Sequence, residues 1–427
     1  MPFIAPFRAI RYNPVRFPDL SPLLTPPYDV ISTEEQTACY DRHPHNMIRL
    51  DFGQILPADS AGDNRYLRAA RWFAQWRREQ LFIQDEAPAF YPASIRYSRP
   101  TGETATLLGL FGLVRLEPFD AGQILPHEMT FAAAKQDRLQ LLRKCRAHFS
   151  PIFLISPDPD GQLRPLLERA IARSEEAGHA DTGTGQEQRL WRLTDPTLTK
   201  ALGALLAKTP LLIADGHHRY ETALAYRKEA AGTAGGAPAD FCLAFITASH
   251  DPGLSVLPTH RLLAHLPDFQ PQRLFTQLGD RFSLTTLATQ AVGAAAVPEL
   301  LAAVQRGGQT QPTFGMITHS PARMSVLTYG QPAAAQLDVR ILQSEILEEL
   351  LCLHEEEAMA KGQLRYVKDP QEVARLVLSG EAQLAFVLNP TPIEAIETIA
   401  RSGGRMPRKT TYFLPKPLTG FVIYPID

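Results

Sequence analysis

The sequence predicts a mixed α/β protein with mixed sheets, on three observations. Short apolar runs of strand length alternate with amphipathic stretches of helical period. Several of these runs end in a short polar motif, which is typical of strands that deliver functional side chains. Hydrophobic residues make up 44% of the 427 residues, enough for well-packed cores. A chain of this length exceeds the usual size of a single core, so we expect two α/β domains, residues 1–265 and 266–427.

Periodicity and boundary residues predict the individual elements. Ser32 followed by Glu35 predicts a capping-box start of a helix. The other expected helices are 64–82, the stretch that follows residue 130, 217 to about 232, 266–310 and 337–360. Expected strands are two within 90–116, one after Pro151, one at 211–213, one at 240–248, two within 313–329 and one at 382–389.

Composition excludes several classes of protein. Lys+Arg 43 against Asp+Glu 45 gives a net charge of −2, which argues against a nucleic-acid coat or a polybasic membrane binder. The four cysteines have no close pair, so neither a zinc knuckle nor a disulfide framework is indicated. No run of about eighteen apolar residues is present. We expect a cytoplasmic protein without a nucleic-acid or membrane partner; the sequence leaves the oligomeric state open.

The most informative motif is LLIADGHHRYET, residues 211–222. An apolar strand ends at Asp215 and Gly216, and a helix is predicted to begin at His217. A glycine turn and a helix start gather backbone amides and the positive end of the helix dipole, which suits a phosphate or carboxylate. Arg219 could fork onto the same anion. Asp215 could cap the helix, hold a metal or orient a hydroxyl; the alternative is an ordinary cap beside two half-exposed histidines.

Other polar motifs follow apolar runs elsewhere in the chain. Asp29 follows two prolines, and His127 beside Glu128 supplies a general base or a metal ligand, or only a surface pair. If the motifs converge in one cleft, they form the acids and cations that phosphoryl transfer needs. We predict catalytic roles for Asp29, His127, Glu128, Asp215, His217 and His218. We predict phosphate or substrate binding by Gly216, Arg219, Lys135, Arg138, His260, Arg261, Lys409, Thr410 and Lys416.

The absence of several known catalytic and nucleotide-binding motifs narrows the range of reactions that the sequence suggests. The sequence has no GxxxxGK[ST] loop, dinucleotide GxGxxG or GxSxG elbow. His217 and His218 are adjacent and lack the HExxH spacing that puts two imidazoles on one helical face, which disfavours a zinc hydrolase. No protein metal site is therefore predicted. Magnesium carried by a nucleotide or by pyrophosphate needs few protein ligands and remains open.

Six separated motifs together resemble one family over nearly the whole chain. They are PPYDVIS, LPHEMTF with a downstream KxDR, SPIFL, IADGHHRYETAL, LPTHRLL and MPRKTTYFLPKPLTG. Together they resemble the bacterial family labelled domain of unknown function 1015. The last motif departs from that family's pattern, MPQKSTYFYPK, at Arg408, Thr410 and Leu414, but its lysines and a hydroxyl remain.

The DGHHR core also resembles the ParB and sulfiredoxin superfamily, whose small α/β domain binds nucleotide phosphates at a helix start. The match is nearest to its free-serine kinases, whose DGHHR corresponds to Asp215–Arg219. The resemblance implies a phosphotransferase or phosphohydrolase acting on a small phosphorylated metabolite, and it indicates serine and phosphoserine as the pair. The alternative is a non-catalytic regulator that binds CTP or another nucleotide as a switch.

Overall fold

The chain forms two units in the computed structural model, which describes residues 1–130, 132–183, 185–230, 238–287, 293–331 and 337–426. The first unit contains Met1–Ser255, Glu397–Arg405 and Phe413–Asp427. The second contains Val256–Ile396 and Met406–Tyr412. The ranges expected from the sequence are continuous, whereas the first unit takes in three separate stretches of the chain.

Helices occur throughout the described residues. The α-helices are α1 (Thr33–Arg42), α2 (Ile48–Asp51), α3 (Arg65–Arg78), α4 (Ala132–Cys145), α5 (Leu163–Ala172), α6 (Pro196–Leu206), α7 (His217–Ala230), α8 (Pro271–Gly279), α9 (Val297–Gly308), α10 (Asp338–Ile341), α11 (Glu355–Ala360), α12 (Pro370–Leu378) and α13 (Ile393–Arg401). A π-helix, Leu342–Leu350, continues α10.

Strands alternate with these helices along the chain. They are β1 (Ile4–Ala5), β2 (Ile10–Tyr12), β3 (Phe82–Gln84), β4 (Tyr91–Ser98), β5 (Thr104–Arg115), β6 (Ile124–Leu125), β7 (Ala147–His148), β8 (Ile152–Ser156), β9 (Glu175–Asp181), β10 (Glu187–Arg192), β11 (Leu211–Asp215), β12 (Phe241–Ala248), β13 (Ser255–Pro258), β14 (His260–Leu263), β15 (Phe282–Thr286), β16 (Thr313–Thr318), β17 (Arg323–Tyr329), β18 (Leu364–Val367), β19 (Leu384–Val387), β20 (Thr411–Leu414) and β21 (Tyr424–Pro425). The fold class is mixed α/β, as predicted.

The first unit is built on a mixed sheet in the order β6-β11-β8-β12-β5-β4-β10-β9, with β1 added to β5. β11 runs parallel to β6 and antiparallel to β8, so the sheet changes direction at this strand. Tyr220 and Ala223 of α7 join the core cluster that contains Leu154 and Ile213. α7 is thereby anchored on the same part of the sheet from which it emerges, and α4 packs beside it.

The second unit is built on an antiparallel sheet in the order β15-β17-β16-β19-β14-β18. Leu262 and Leu263 are neighbours on β14 and belong to different core clusters. Because successive side chains of a strand point to opposite faces, both faces of this sheet are covered. The apolar run that contains Leu262 and Leu263 is therefore explained by burial on both faces of the sheet.

Most predicted elements are confirmed. α3, β4, β5, β8, β11, β12, β16, β17 and β19 fall where the sequence predicts them, and Ser32 and Glu35 form the capping box. The stretch expected to be helix-prone, 266–310, contains α8 and α9, and it also contains β15, which pairs with β17 and which the sequence did not predict. The helical stretch 337–360 is interrupted after Leu350, and the predicted helix end near Gly232 lies outside the described residues.

No helix in the described ranges combines the length and the apolar character needed to cross a membrane.

Candidate functional site

The junction of β11 and α7 forms the centre of the site. β11 is buried up to Ala214, and its register against β8 shifts between Ile213 and Asp215. Such an irregularity re-aims the following side chain, here Asp215. Gly216 has φ +90°, a conformation that favours glycine, and a Cβ there would lie 3.0 Å from Arg219 Nε. The strand β11 thus ends and the helix α7 begins within two residues of each other, with Gly216 between them.

The Asp215 carboxylate is held by two cations. Its Oδ1 accepts a hydrogen bond from Lys416 Nζ, and its Oδ2 accepts one from Arg219 Nη2. Lys416 Nζ also donates to Asp29 Oδ2 at 3.2 Å. The four side chains Arg219, Asp215, Lys416 and Asp29 therefore alternate in charge, and we call them the Asp215 network. Their exposed fractions are 9%, 16%, 7% and 25%, so Asp29 is the most accessible member.

Lys416 is positioned by its backbone. Its carbonyl oxygen accepts hydrogen bonds from Gln186 Nε2 at 3.0 Å and from Gln188 Nε2 at 3.2 Å. The Gln188 side-chain oxygen accepts from the Leu418 amide at 3.2 Å. The glutamines of β10 and the preceding turn thus fix the PKPL segment. The backbone from which the Lys416 ammonium group reaches the two carboxylates is therefore fixed.

Arg219, predicted to grip phosphate, is engaged within the first unit. Its Nη1 donates to the Pro151 carbonyl, and its Nη2 donates to Asp215. Its side chain is 9% exposed. The guanidinium thus joins the residue before β8 to Asp215, and its predicted contact with phosphate stays a prediction.

Arg138 lies in a buried charge cluster next to the Asp29 turn. Its guanidinium donates to Asp51 Oδ1 at 3.3 Å and to Asp137 Oδ2 at 2.7 Å. It also lies 4.0 Å over the ring of Tyr28, the residue before Asp29. Burial raises the pKa of Tyr28 to about 12, so its hydroxyl stays protonated at neutral pH. Arg138 therefore packs against the turn that carries Asp29.

Two histidines pack together on the other side of β11. His127 Nδ1 lies 2.7 Å from the Ile213 carbonyl, which can only accept, so Nδ1 carries the proton. The His127 amide donates to His217 Nε2 at 3.3 Å, so that nitrogen is unprotonated. Burial, together with the neighbouring His127, lowers the pKa of His217 well below its usual value. His217 is thus a neutral imidazole at pH 7.

Glu128 and His218 complete this histidine group. Glu128 Oε1 lies 3.7 Å from His127 Nε2, the nitrogen that does not face Ile213. His127 is completely buried, whereas the Glu128 side chain is 15% exposed. His217 is buried and His218 is half-buried. Glu128 is the accessible acid of the group.

Basic residues surround the start of α7. Lys135 Nζ lies 2.7 Å from Glu221 Oε2, which also accepts from Thr130 Oγ1 at 2.8 Å. Arg405, which the sequence analysis missed, donates to the Pro126 carbonyl at 3.1 Å, and burial lowers its pKa. The available signal was an arginine directly before the MPRK motif.

Four predicted binding residues belong to the second unit. His260 and Arg261 lie on β14, and each is 1% exposed. His260 Nδ1 accepts from the Leu388 amide at 3.2 Å, and burial followed by the neighbouring Arg261 lowers its pKa to about 4. Arg261 Nη1 donates to the Lys409 carbonyl at 3.4 Å, and Thr410 Oγ1 donates to the Pro407 carbonyl at 2.6 Å.

The first unit therefore brings predicted residues into two neighbouring groups. Asp29, Asp215, Arg219 and Lys416 form one group, and His127, Glu128 and His217 form the other. Among the described residues, no cluster of three or more His, Cys, Asp or Glu side chains is arranged to hold a metal ion. The arrangement can hold an anion at the start of α7 with a carboxylate and a cation beside it.

A family model matches residues 4–342, more than half of the chain. The protein is a mixed α/β protein whose candidate site lies at the strand-to-helix junction of β11 and α7. It belongs to the DUF1015 family, described as a protein family of unknown function. No curated protein matches the chain.

Solved structures of low sequence identity are similar to the chain. A free serine kinase in complex with AMP shares 12% identity, with 71% of this chain and 87% of that chain covered and a TM-score of 0.39. A conserved hypothetical protein from Pyrococcus furiosus shares 14% identity, with 73% and 93% covered and a TM-score of 0.38. SbnI with a C-terminal truncation, from Staphylococcus aureus, shares 14% identity, with 73% and 86% covered and a TM-score of 0.34.

Proposed function

We propose that the first unit is a phosphotransferase that moves a phosphoryl group between a nucleotide and a small hydroxyl metabolite, serine being the favoured acceptor. The single observation that carries the proposal is the fixing of Asp215 between Lys416 and Arg219 at the start of α7. The amides and positive dipole end of a helix bind phosphate. The motif resemblance of DGHHR to free-serine kinases supports the choice of serine.

The residues of the site have three roles in this proposal: binding, positioning and proton transfer. Lys416 and the first turn of α7 would neutralise and hold the transferred phosphoryl group. Asp215 has both oxygens on cations, so it orients Lys416 and Arg219. Asp29 is the most exposed acid of the network and would accept the hydroxyl proton, with Glu128 as the other candidate base. The acceptor oxygen then forms a bond to phosphorus while the bond to the nucleotide oxygen breaks.

The reverse direction uses the same groups. Phosphoserine and ADP would give serine and ATP, with the proton returned from the carboxylate to the serine oxygen. Magnesium arriving with the nucleotide would screen charge on the phosphates and needs few protein ligands. If water replaces the nucleotide as acceptor, the outcome is phosphoserine hydrolysis.

The test incubates the purified protein with phosphoserine and magnesium, with ADP, with pyrophosphate or without either, and measures serine, phosphate and ATP. Serine with matching ATP supports a kinase, and serine with matching phosphate supports a hydrolase. Lys416→Ala should remove turnover. Lys361→Ala, which changes an exposed lysine paired with Glu357 in the second unit, is the matched control and should leave turnover unchanged.

Absence of turnover in every mixture, with AMP or ADP still bound, would overturn the enzymatic proposal. It would favour a nucleotide-binding regulator that uses the same anion site. Equilibrium dialysis with AMP distinguishes these outcomes, since it detects binding without chemistry.

A further inference from the structure

A small cavity lies beside the Asp215 network in the first unit. Its volume is about 40 Å³, and its lining includes Asp51, Arg138, Ser150 and Arg219. Arg219 belongs both to this lining and to the Asp215 network. Anything that fixes Arg219 from the cavity side therefore acts on Asp215 as well.

Asp51 is the buried acid of the cavity, with a side chain that is 5% exposed. Its Oδ1 accepts from Ser150 Oγ at 3.0 Å and from Arg138 Nη1 at 3.3 Å. Its Oδ2 is buried and has no hydrogen-bond partner among the described residues. Burial raises the pKa of Asp51 in spite of the opposing charge of Arg138. A buried oxygen without a hydrogen-bond partner is destabilising, so a partner is expected.

Arg219 offers the complementary group. Its Nη1 and Nη2 are engaged by Pro151 and Asp215, but its Nε is buried and has no hydrogen-bond partner among the described atoms. Nε–H can only donate, and a carboxylate oxygen can accept. A donor and an acceptor, each lacking a partner, thus belong to residues that line the same cavity.

The size of the cavity suits water. A buried water needs about 10–15 Å³ and at least two polar partners. Both conditions are met by a cavity of about 40 Å³ whose lining carries Asp51 and Arg219. A bare cation would face the guanidinium groups of Arg138 and Arg219.

We infer that one ordered water molecule accepts a hydrogen bond from Arg219 Nε and donates one to Asp51 Oδ2, and that Asp51 is a positioning residue for the phosphate site. The bridge joins two sets of charges into one alternating series. That series is Arg65, Asp137, Arg138, Asp51, Arg219, Asp215, Lys416 and Asp29. The catalytic consequence rests on the proposed function, whereas the bridge itself does not.

The bridge is tested on the full chain without any substrate. A high-resolution crystal structure should show water density within hydrogen-bond distance of both atoms. The Arg219 Nε–H resonance, identified by its loss in Arg219→Lys, should shift in Asp51→Asn. Asp85→Asn is the matched control: Asp85 is also 5% exposed and paired with an arginine, Arg11, and this change should leave the resonance in place. No density, or an unshifted resonance in Asp51→Asn, would overturn the bridge.

The positioning role is tested by kinetics on the same variants. Asp51→Asn should lower kcat about tenfold, because a displaced Arg219 misplaces Asp215, while KM for serine stays the same. Asp85→Asn should change neither value. Equal kcat in Asp51→Asn and the unaltered protein would overturn the role. If the unaltered protein shows no turnover, the proposed function fails, and the density and the resonance still decide the bridge.

Discussion

The two units place a histidine and an arginine after an apolar run in opposite ways. In the first unit β11 ends at Asp215, and His217 and Arg219 follow in the first turn of α7. In the second unit His260 and Arg261 lie within β14 and are buried in its sheet. The same kind of sequence pattern thus gives a site at a strand end in one unit and interior strand residues in the other.

The difference comes from the residue between the apolar run and the histidine. Gly216 adopts φ +90° and turns the chain out of the sheet into a helix. In the second unit the equivalent position is Thr259, and the chain continues from β13 into β14 without leaving extended structure. A glycine after the acid is therefore a better sign of a functional junction than the histidine and arginine themselves.

The largest expected difference between the two units concerns Arg219 and Arg261. Arg219→Met should lower turnover about 1000-fold, because Asp215 loses one of its two cations at the centre of the site. Arg261→Met should leave turnover unchanged and lower the denaturation midpoint, since Arg261 is held inside the second unit. Steady-state rates and urea unfolding measure both. Equal losses of turnover would instead support the prediction that Arg261 binds substrate.

Acid should lower the folding stability of both units, because each contains a buried histidine with a lowered pKa. Burial lowers the pKa of both His148 and His260 to about 4, against about 6.5 in the unfolded chain. The unfolded chain binds the proton first, so stability is complete above pH 6.5 or so and falls as pH drops toward 4. Each histidine contributes a loss of about 3 kcal/mol over that window. Urea unfolding at several pH values should show a shallower decline in His148→Phe; an unchanged slope would contradict the assignment.

A smaller effect concerns glycine. Gly216→Ala should lower stability by about 2 kcal/mol and weaken AMP binding, because alanine is strained at φ +90° and its Cβ presses on Arg219. Gly279→Ala in the second unit is the control, since its Cβ would meet nothing within 4 Å. Thermal unfolding and equilibrium dialysis compare the two. Similar behaviour of both variants would show that the turn is not special.

The smallest effect separates ion pairing from ligand binding at Lys135. Its side chain is 39% exposed and paired with Glu221, so Lys135→Met should change stability by less than about 0.5 kcal/mol. If Lys135 contacts phosphate, the affinity for AMP should still fall severalfold. An unchanged affinity would assign Lys135 to the surface pair alone.

Local sequence predicted the elements but only part of the site. The strand-to-helix junction and the capping box of α1 followed from boundary residues. Lys416 was named from its setting among threonine and aromatic residues, and its role in binding stays a prediction. The helix-prone stretch 266–310 contains α8 and α9, but β15 was not predicted, because its pairing with β17 is a tertiary effect that a run of alanine and leucine does not reveal.

The supporting residues could not be predicted from local patterns. Asp51 lies at the end of a four-residue helix, and its partners Arg138 and Ser150 are 87 and 99 residues away. Arg405 reaches the Pro126 carbonyl across 279 residues. No periodicity encodes such contacts, so a second layer of a site becomes visible only once the chain is folded.

The late arrival of Lys416 has a consequence for synthesis on the ribosome. Its partners Asp29 and Asp215 precede it by 387 and 201 residues, and the whole of Val256–Ile396 is made in between. While the second unit emerges from the ribosome, the nascent first unit therefore has two carboxylates without the ammonium group that they share in the complete chain. Any premature stop before the Lys416 codon yields a product without this cation, so an intact Asp215 network requires that translation has passed that point.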